Sequence, residues 1–169
     1  ESGVDVINDI SAFAFDPALL DVLVQYRPGY VLMHCQGVPG TMQQNPHYND
    51  VVSEVTAFFE EKMNVLVNAG FPEENILLDP GIGFGKKMEH NLALMAHPEA
   101  WERLGRPSLM ALSMKSVFND LLGLPVESRG PATQTATALC YTRGYAWHRV
   151  HDARAASQAL RLADAFMNA

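Results

Sequence analysis

Alternating short apolar runs and longer stretches of helical pattern predict an α/β protein built on parallel strands. Five runs, at residues 4–7, 31–33, 76–78, 109–112 and 145–147, each end in polar side chains or glycine, and a helix-patterned stretch follows each one. Strand, helix, strand, helix in that order implies parallel strands joined by right-handed crossovers. Chemistry in such proteins gathers at the carboxyl ends of the strands, so residues scattered along the chain converge on one rim.

The first run closes on Asn8-Asp9 and leads to a helix expected over 17–25. The second closes on His34, and the helix expected over 49–68 carries the clearest periodicity, with Val51, Val52, Val55, Phe58, Phe59, Met63, Leu66 and Val67 recurring every three or four residues. Asn49 or Asp50 is available to cap it, and Gly70 to stop it. The third run closes on Asp79-Pro80-Gly81 before a helix over 89–95, and the fourth on Ser113, with Lys115 just beyond and a helix over 132–142. His148, Arg149, His151 and Asp152 follow the fifth. The last helix, over 153–167, places Ala156, Leu160, Ala163 and Phe166 on one face, suited to packing outside a sheet. Five such units leave two architectures open: an open doubly wound sheet, or part of an eight-stranded (β/α)8 barrel, which normally needs about 250 residues.

Size and composition narrow the function. A chain of 169 residues, 48% hydrophobic and 18% charged, is ordinary for one globular domain. Its net charge of −7 argues against a nucleic-acid or acidic-membrane surface, so any anion must be caught locally. Cys35 and Cys140 lie far apart with no zinc-type spacing, which favours two reduced thiols and a cytoplasmic setting. No apolar run approaches the length of a membrane span.

The densest signal is Asp79-Pro80-Gly81-Ile82-Gly83-Phe84-Gly85-Lys86. Pro80 and Lys87 spoil a Walker loop, and glycines at 81, 83 and 85 do not make Gly-x-Gly-x-x-Gly. Alternating glycines instead allow a tight turn that brings backbone close to a ligand, with Phe84 offering an aromatic face. The same residues would serve as a plain helix-capping turn. Asp79, at a strand end beside Leu77 and Leu78, needs donors around it, and the adjacent N–H groups of a planar heterocycle would supply them. Ser113-x-Lys115 lacks the spacing of a Ser-x-x-Lys nucleophile. Arg149 and His151, two apart before a helix start, suit an anion pocket, although each alone would pass for ordinary surface. His34, His47 and His90 lack metal spacing and read as surface or hydrogen-bonded histidines.

Taken in order, Ile7-Asn8-Asp9-Ile10-Ser11, the stretch 31–37, Pro39-Gly40-Thr41-Met42-Gln43, the stretch 78–86, Ser113-Met114-Lys115-Ser116 and Arg149-Val150-His151-Asp152 resemble the dihydropteroate synthase family of pterin-binding enzymes. The resemblance spans essentially the whole chain, residues 1–169, as a pterin-binding domain. It implies a partial (β/α)8 TIM barrel of about five C-terminal βα units, with about three units preceding Glu1. It also implies an enzyme that joins 6-hydroxymethyl-7,8-dihydropterin diphosphate to 4-aminobenzoate, releasing diphosphate. By motif position, Asp79 and Asn8 would bind the pterin's amino and ring nitrogens and Lys115 its other polar edge, with Gly83 beside it. Ile10, Met33 and Phe84 would wall the pocket, Ser116 would lie near the aminobenzoate, and Arg149 with His151 would hold the diphosphate. Mg2+ is the implied cofactor, its protein ligand expected upstream of Glu1 and none within this chain. The implied partners are these small molecules, with no nucleic acid and no membrane; a homodimer is left open. The related alternatives are a pterin-dependent methyltransferase and a catalytically silent pterin-binding remnant. The chain departs from the family pattern at Met114, where the family carries Arg, at Ala111, where it carries Gly, and over 129–133, which lacks the usual Gly-Ser or Gly-Thr. Taken by itself, the chain is expected to be inactive or nearly so.

Overall fold

The computed structural model describes residues 3–169. In chain order the elements are β1 (Val6–Asp9), α1 (Leu19–Tyr26), β2 (Gly29–Met33), α2 (Val51–Asn68), β3 (Ile76–Asp79), α3 (Met88–Ala96), β4 (Leu109–Met110), α4 (Val117–Leu122), α5 (Gly130–Thr142), β5 (Trp147–His148) and α6 (Ala153–Met167). β1, β2 and β3 pair in parallel in that order, β4 pairs in parallel with β5, and a parallel bridge from Leu78 to Ser108 links the two sets. Spatial neighbours therefore follow chain order, as crossover helices between parallel strands require. Among the described residues no helix is long and apolar enough to cross a membrane.

Alternation along the strands divides the side chains between two faces. Tyr30, Leu32, Ile76, Leu78, Met110 and Leu112 enter the main core, where Val55, Phe59 and Leu66 of α2 meet Trp101 and Tyr145. Trp101 is fully buried, edge-on to Phe59 at 5.7 Å, and its indole N–H donates to Ser108 Oγ at 2.8 Å. The other face carries a smaller cluster of Val31, Leu77, Leu109 and Ala111. Continuing those rows toward the strand ends brings Met33 level with Asp79, and Ala111 level with Arg149.

α2 forms where its periodicity predicts. Asp50 caps it by accepting from the Val52 and Ser53 N–H groups, while Glu54 reaches back to the Asn49 and Asp50 N–H groups. Val51, Val55, Phe59, Met63 and Leu66 form its buried stripe, and the helix closes with Phe71 N–H on Leu66 C=O across Gly70.

Several boundaries differ from expectation. β1 begins and ends two residues later than the apolar run, so Asn8 and Asp9 belong to the strand. The cause is Asp9, whose carboxylate accepts from Ser11 N–H, Ser11 Oγ, Phe13 N–H and Tyr30 Oη and so holds the turn that ends the strand. β4 and β5 are two residues each, shorter than or displaced from their apolar runs. α4 was not expected: six residues are too few for a periodic signal, and it owes its place to burial of Val117 and Phe118. α6 packs along α5 and buries Ala156 and Ala163, whereas Phe166 is 79% exposed. The small residues allow the two helices to approach, which turns Phe166 outward.

Candidate active site

Asp79 ends β3 fully buried, with Oδ1 accepting from Gly81 N–H at 2.7 Å. Its Oδ2 is buried with no hydrogen-bond partner. Burial pushes the carboxyl pKa up, against the opposing pulls of Lys115, the Gly81 N–H, Arg149 and Lys86. A carboxylate oxygen held in the dark without a donor is costly unless a ligand supplies one.

Lys115, in the turn after β4, faces this carboxylate. Its ammonium donates to Ile82 C=O at 2.5 Å and sits 4.9 Å from the centre of the Phe84 ring. Desolvation lowers its pKa to about 8 despite the upward pull of Asp79. A cavity of about 170 Å³ opens beside it, lined by Ala111, Ser113, Lys115, Arg149, Val150 and His151. Within it the His151 ring Nδ1 lies 2.8 Å from Ser113 Oγ, which also accepts from His151 N–H. The side chains of Lys115, Arg149 and His151 therefore surround one small space, ready for an anion.

The loop from Gly81 to Gly85 closes the space above Asp79, and its glycines are dictated by close approach. At Gly81 the backbone φ is +67° and a Cβ would lie 1.9 Å from His34 O; at Gly85 φ is +62° and a Cβ would lie 2.2 Å from Gln36 O. Four side chains hold this loop: Gln43 donates to Gly83 C=O and accepts from Lys86 N–H, Tyr48 Oη donates to Gly85 C=O, Asn91 accepts from Gly83 N–H, and Lys86 folds beneath it.

The turn between β4 and α4 is held as firmly. Met114 takes φ +62°, unusual for a side chain with a Cβ. Its N–H donates to Thr133 Oγ1 at 3.2 Å and its C=O accepts from Arg129 Nη1 at 2.9 Å. The stretch 129–133, singled out for its departure from the family pattern, thus fastens the residue between Ser113 and Lys115.

A model of the pterin-binding enzymes matches residues 1–151. The chain belongs to the pterin-binding enzyme family. It is 37% identical over 167 residues to the dihydropteroate synthase of Haemophilus influenzae, an alignment covering 99% of this chain and 60% of that protein. The crystal structure of the Yersinia pestis dihydropteroate synthase with a sulfonamide drug complex superposes with a TM-score of 0.94 at 32% identity, over 98% of this chain and 60% of that one. The dihydropteroate synthase of Xanthomonas albilineans in complex with 7,8-dihydropteroate gives 0.90 at 36% identity, over 99% and 61%. The chain thus spans about 60% of the length of the relatives it matches.

In this member of the pterin-binding enzyme family the structure gathers most of the residues singled out from sequence. Lys115 lies over the Phe84 ring and is coupled to Asp79 by charge without an ion pair among the described residues, Gly83 lies beside the Lys115 stem, Met33 is fully buried in register with Asp79, and Arg149 and His151 share the cavity. Asn8 is exposed on β1, two strands from Asp79 and two residues earlier in register, level with Val31 and Leu77, and half-buried Ile10 lies just beyond it. Ser116 is exposed at the start of α4, and its side chain makes no hydrogen bond among the described residues. Sequence reasoning gave no part to Lys86 and left His34 as a surface or hydrogen-bonded residue; both are buried, and hydrogen-bonded to each other at 2.9 Å. The signal was a lysine directly after three alternating glycines, too short a pattern to reveal which way its side chain turns.

Proposed function

We propose that this chain is the pterin- and diphosphate-binding part of a dihydropteroate synthase, forming an arc of a (β/α)8 barrel. The single observation that carries the reading is the buried Asp79 carboxylate, with one unpartnered oxygen beside Lys115 and a cavity bearing Arg149 and His151. Of the exocyclic amino group and ring N–H of a pterin, one supplies the donor that Oδ2 lacks and the other shares Oδ1 with the Gly81 N–H. Phe84 and Met33 bound the heterocycle, with Gly83 giving its plane room. Asn8 and Lys115 take its remaining polar edge. The diphosphate lies toward Arg149 and His151, where the guanidinium and an imidazole held by Ser113 stabilise negative charge as it departs. The carbon–oxygen bond to the diphosphate breaks, the diphosphate keeps the bonding electrons, and the 4-aminobenzoate nitrogen attacks the resulting cationic methylene near Ser116 and then loses its surplus proton to solvent. No side chain forms a covalent intermediate; the chain contributes position and electrostatics.

The strands' order, each neighbour next in sequence and all parallel, supports the barrel, as does the family. Among the described residues no three His, Cys, Asp or Glu side chains are grouped to hold a metal ion. Mg2+ is assigned to no residue of this chain. A cytoplasmic setting and a homodimer remain part of the same reading.

The test is a coupled assay on the chain joined to a complete barrel, with titration of the chain itself by pterin diphosphate. Diphosphate release that depends on 4-aminobenzoate is expected. Methyl transfer to a corrinoid without diphosphate release would replace the synthase reading by the methyltransferase one.

A further inference from the structure

Lys86 is 3% exposed and forms no ion pair among the described residues. Its ammonium meets four acceptors: His34 Nδ1 at 2.9 Å, Phe84 O at 3.0 Å, Gly81 O at 3.1 Å and, more distantly, His34 O at 3.4 Å. Three protons thus face three close acceptors, two in the loop after β3 and one in the loop after β2. We propose that Lys86 is a positioning residue for the pterin pocket: its ammonium clamps the Gly81–Gly85 loop to His34 and so sets the Phe84 ring and Gly83 against Lys115.

The same geometry decides the state of His34. Burial lowers the Lys86 pKa to about 7; with Lys86 as the ammonium, which only donates, Nδ1 is the acceptor and the ring proton sits on Nε2. The ring is seated edge-on against Phe58, with centroids 4.8 Å apart, and cannot swing away without opening the core. Loss of the ammonium would leave Gly81 and Phe84 carbonyls without this shared donor and free Phe84 from its place 4.9 Å from Lys115. Lys86 makes no hydrogen bond to the residues that line the anion cavity and is coupled to one of them, Lys115, through charge, so its effect should fall mainly on the heterocycle. The inference rests on the pterin reading of the site.

Lys86→Met keeps the length of the side chain and removes its donors. In calorimetric titration, affinity for 6-hydroxymethylpterin should fall about tenfold or more, and affinity for inorganic diphosphate should change less than about twofold. Equal losses for both ligands, or unchanged pterin affinity, would overturn the clamp. Two measurements need no pterin. Nitrogen NMR of the unsubstituted chain should show His34 with unprotonated, hydrogen-bonded Nδ1, and amide exchange over 81–85 should quicken in Lys86→Met. A proton on Nδ1, or unchanged exchange, would refute the proposal whether or not the variant folds well. An unsubstituted chain that binds no pterin while passing both measurements would sink the pterin reading and leave the clamp standing.

Discussion

Gly81→Ala and Gly105→Ala form a matched pair that separates backbone strain from collision. The two glycines have nearly the same φ, +67° and +65°, so both substitutions incur the cost of a left-handed alanine, about 1–2 kcal/mol. They differ in what the new methyl meets: nothing within 4 Å at Gly105, but the carbonyl oxygen of His34 at 1.9 Å at Gly81. That neighbour is the backbone of buried His34, and forcing an atom into such a place adds about 1–3 kcal/mol. At roughly 2–4 °C per kcal/mol for a chain this size, Gly105→Ala should melt about 4 °C low and Gly81→Ala about 10 °C low. Differential scanning calorimetry reads both. Gly81 N–H also anchors Asp79 Oδ1, so the Gly81 variant should lose pterin affinity and the Gly105 variant should keep it. If the two variants melt within about 2 °C of each other, the close packing of the two loops does not constrain the fold.

Other consequences follow from individual contacts. Asp79→Asn should weaken 6-hydroxymethylpterin binding at least about tenfold without lowering the melting temperature, because it removes a buried charge with an unpartnered oxygen; a large thermal loss would make Asp79 a structural residue instead. Burial and the nearby Lys86 lower the His34 pKa to about 3 from 6.5, so the unfolded chain takes up a proton first as pH falls. Stability present above pH 6.5 is then lost progressively toward pH 3, by up to about 5 kcal/mol. His34→Asn keeps an acceptor and removes the titration, so urea melts at pH 7 and pH 4 should differ less for it than for the unsubstituted chain; equal differences would count against the buried neutral imidazole. Arg149→Ala should weaken inorganic diphosphate binding about tenfold and flatten its salt dependence, and an unchanged salt slope would remove Arg149 from the anion pocket. Tyr48→Phe, which deprives buried Gly85 C=O of its 2.9 Å donor, should cost about 1–2 kcal/mol in chemical denaturation, and no loss would mean that this tie does not hold the loop.

The order of strands and helices and the residues at the strand ends were legible in the chain because their signals are local. The stripe of α2 repeats over eighteen residues, Asp50 caps the helix it precedes, and Asp79, Lys115 and Arg149 each follow an apolar run. Asn8 and Asp9 were placed past their strand because only the four donors around the Asp9 carboxylate decide where β1 ends. α4 and the outward turn of Phe166 depend on what packs beside them.

The sequence by itself determined that an acid, a lysine and an arginine would stand at or just past the ends of parallel strands, since alternation and crossover rules act between near neighbours. Only the tertiary structure decided that Lys86 turns inward to meet a histidine 52 residues away, that Gly81 touches its carbonyl, and that one Asp79 oxygen is left without a donor. Those facts arise from the distance between two loops, which no local pattern in the chain encodes.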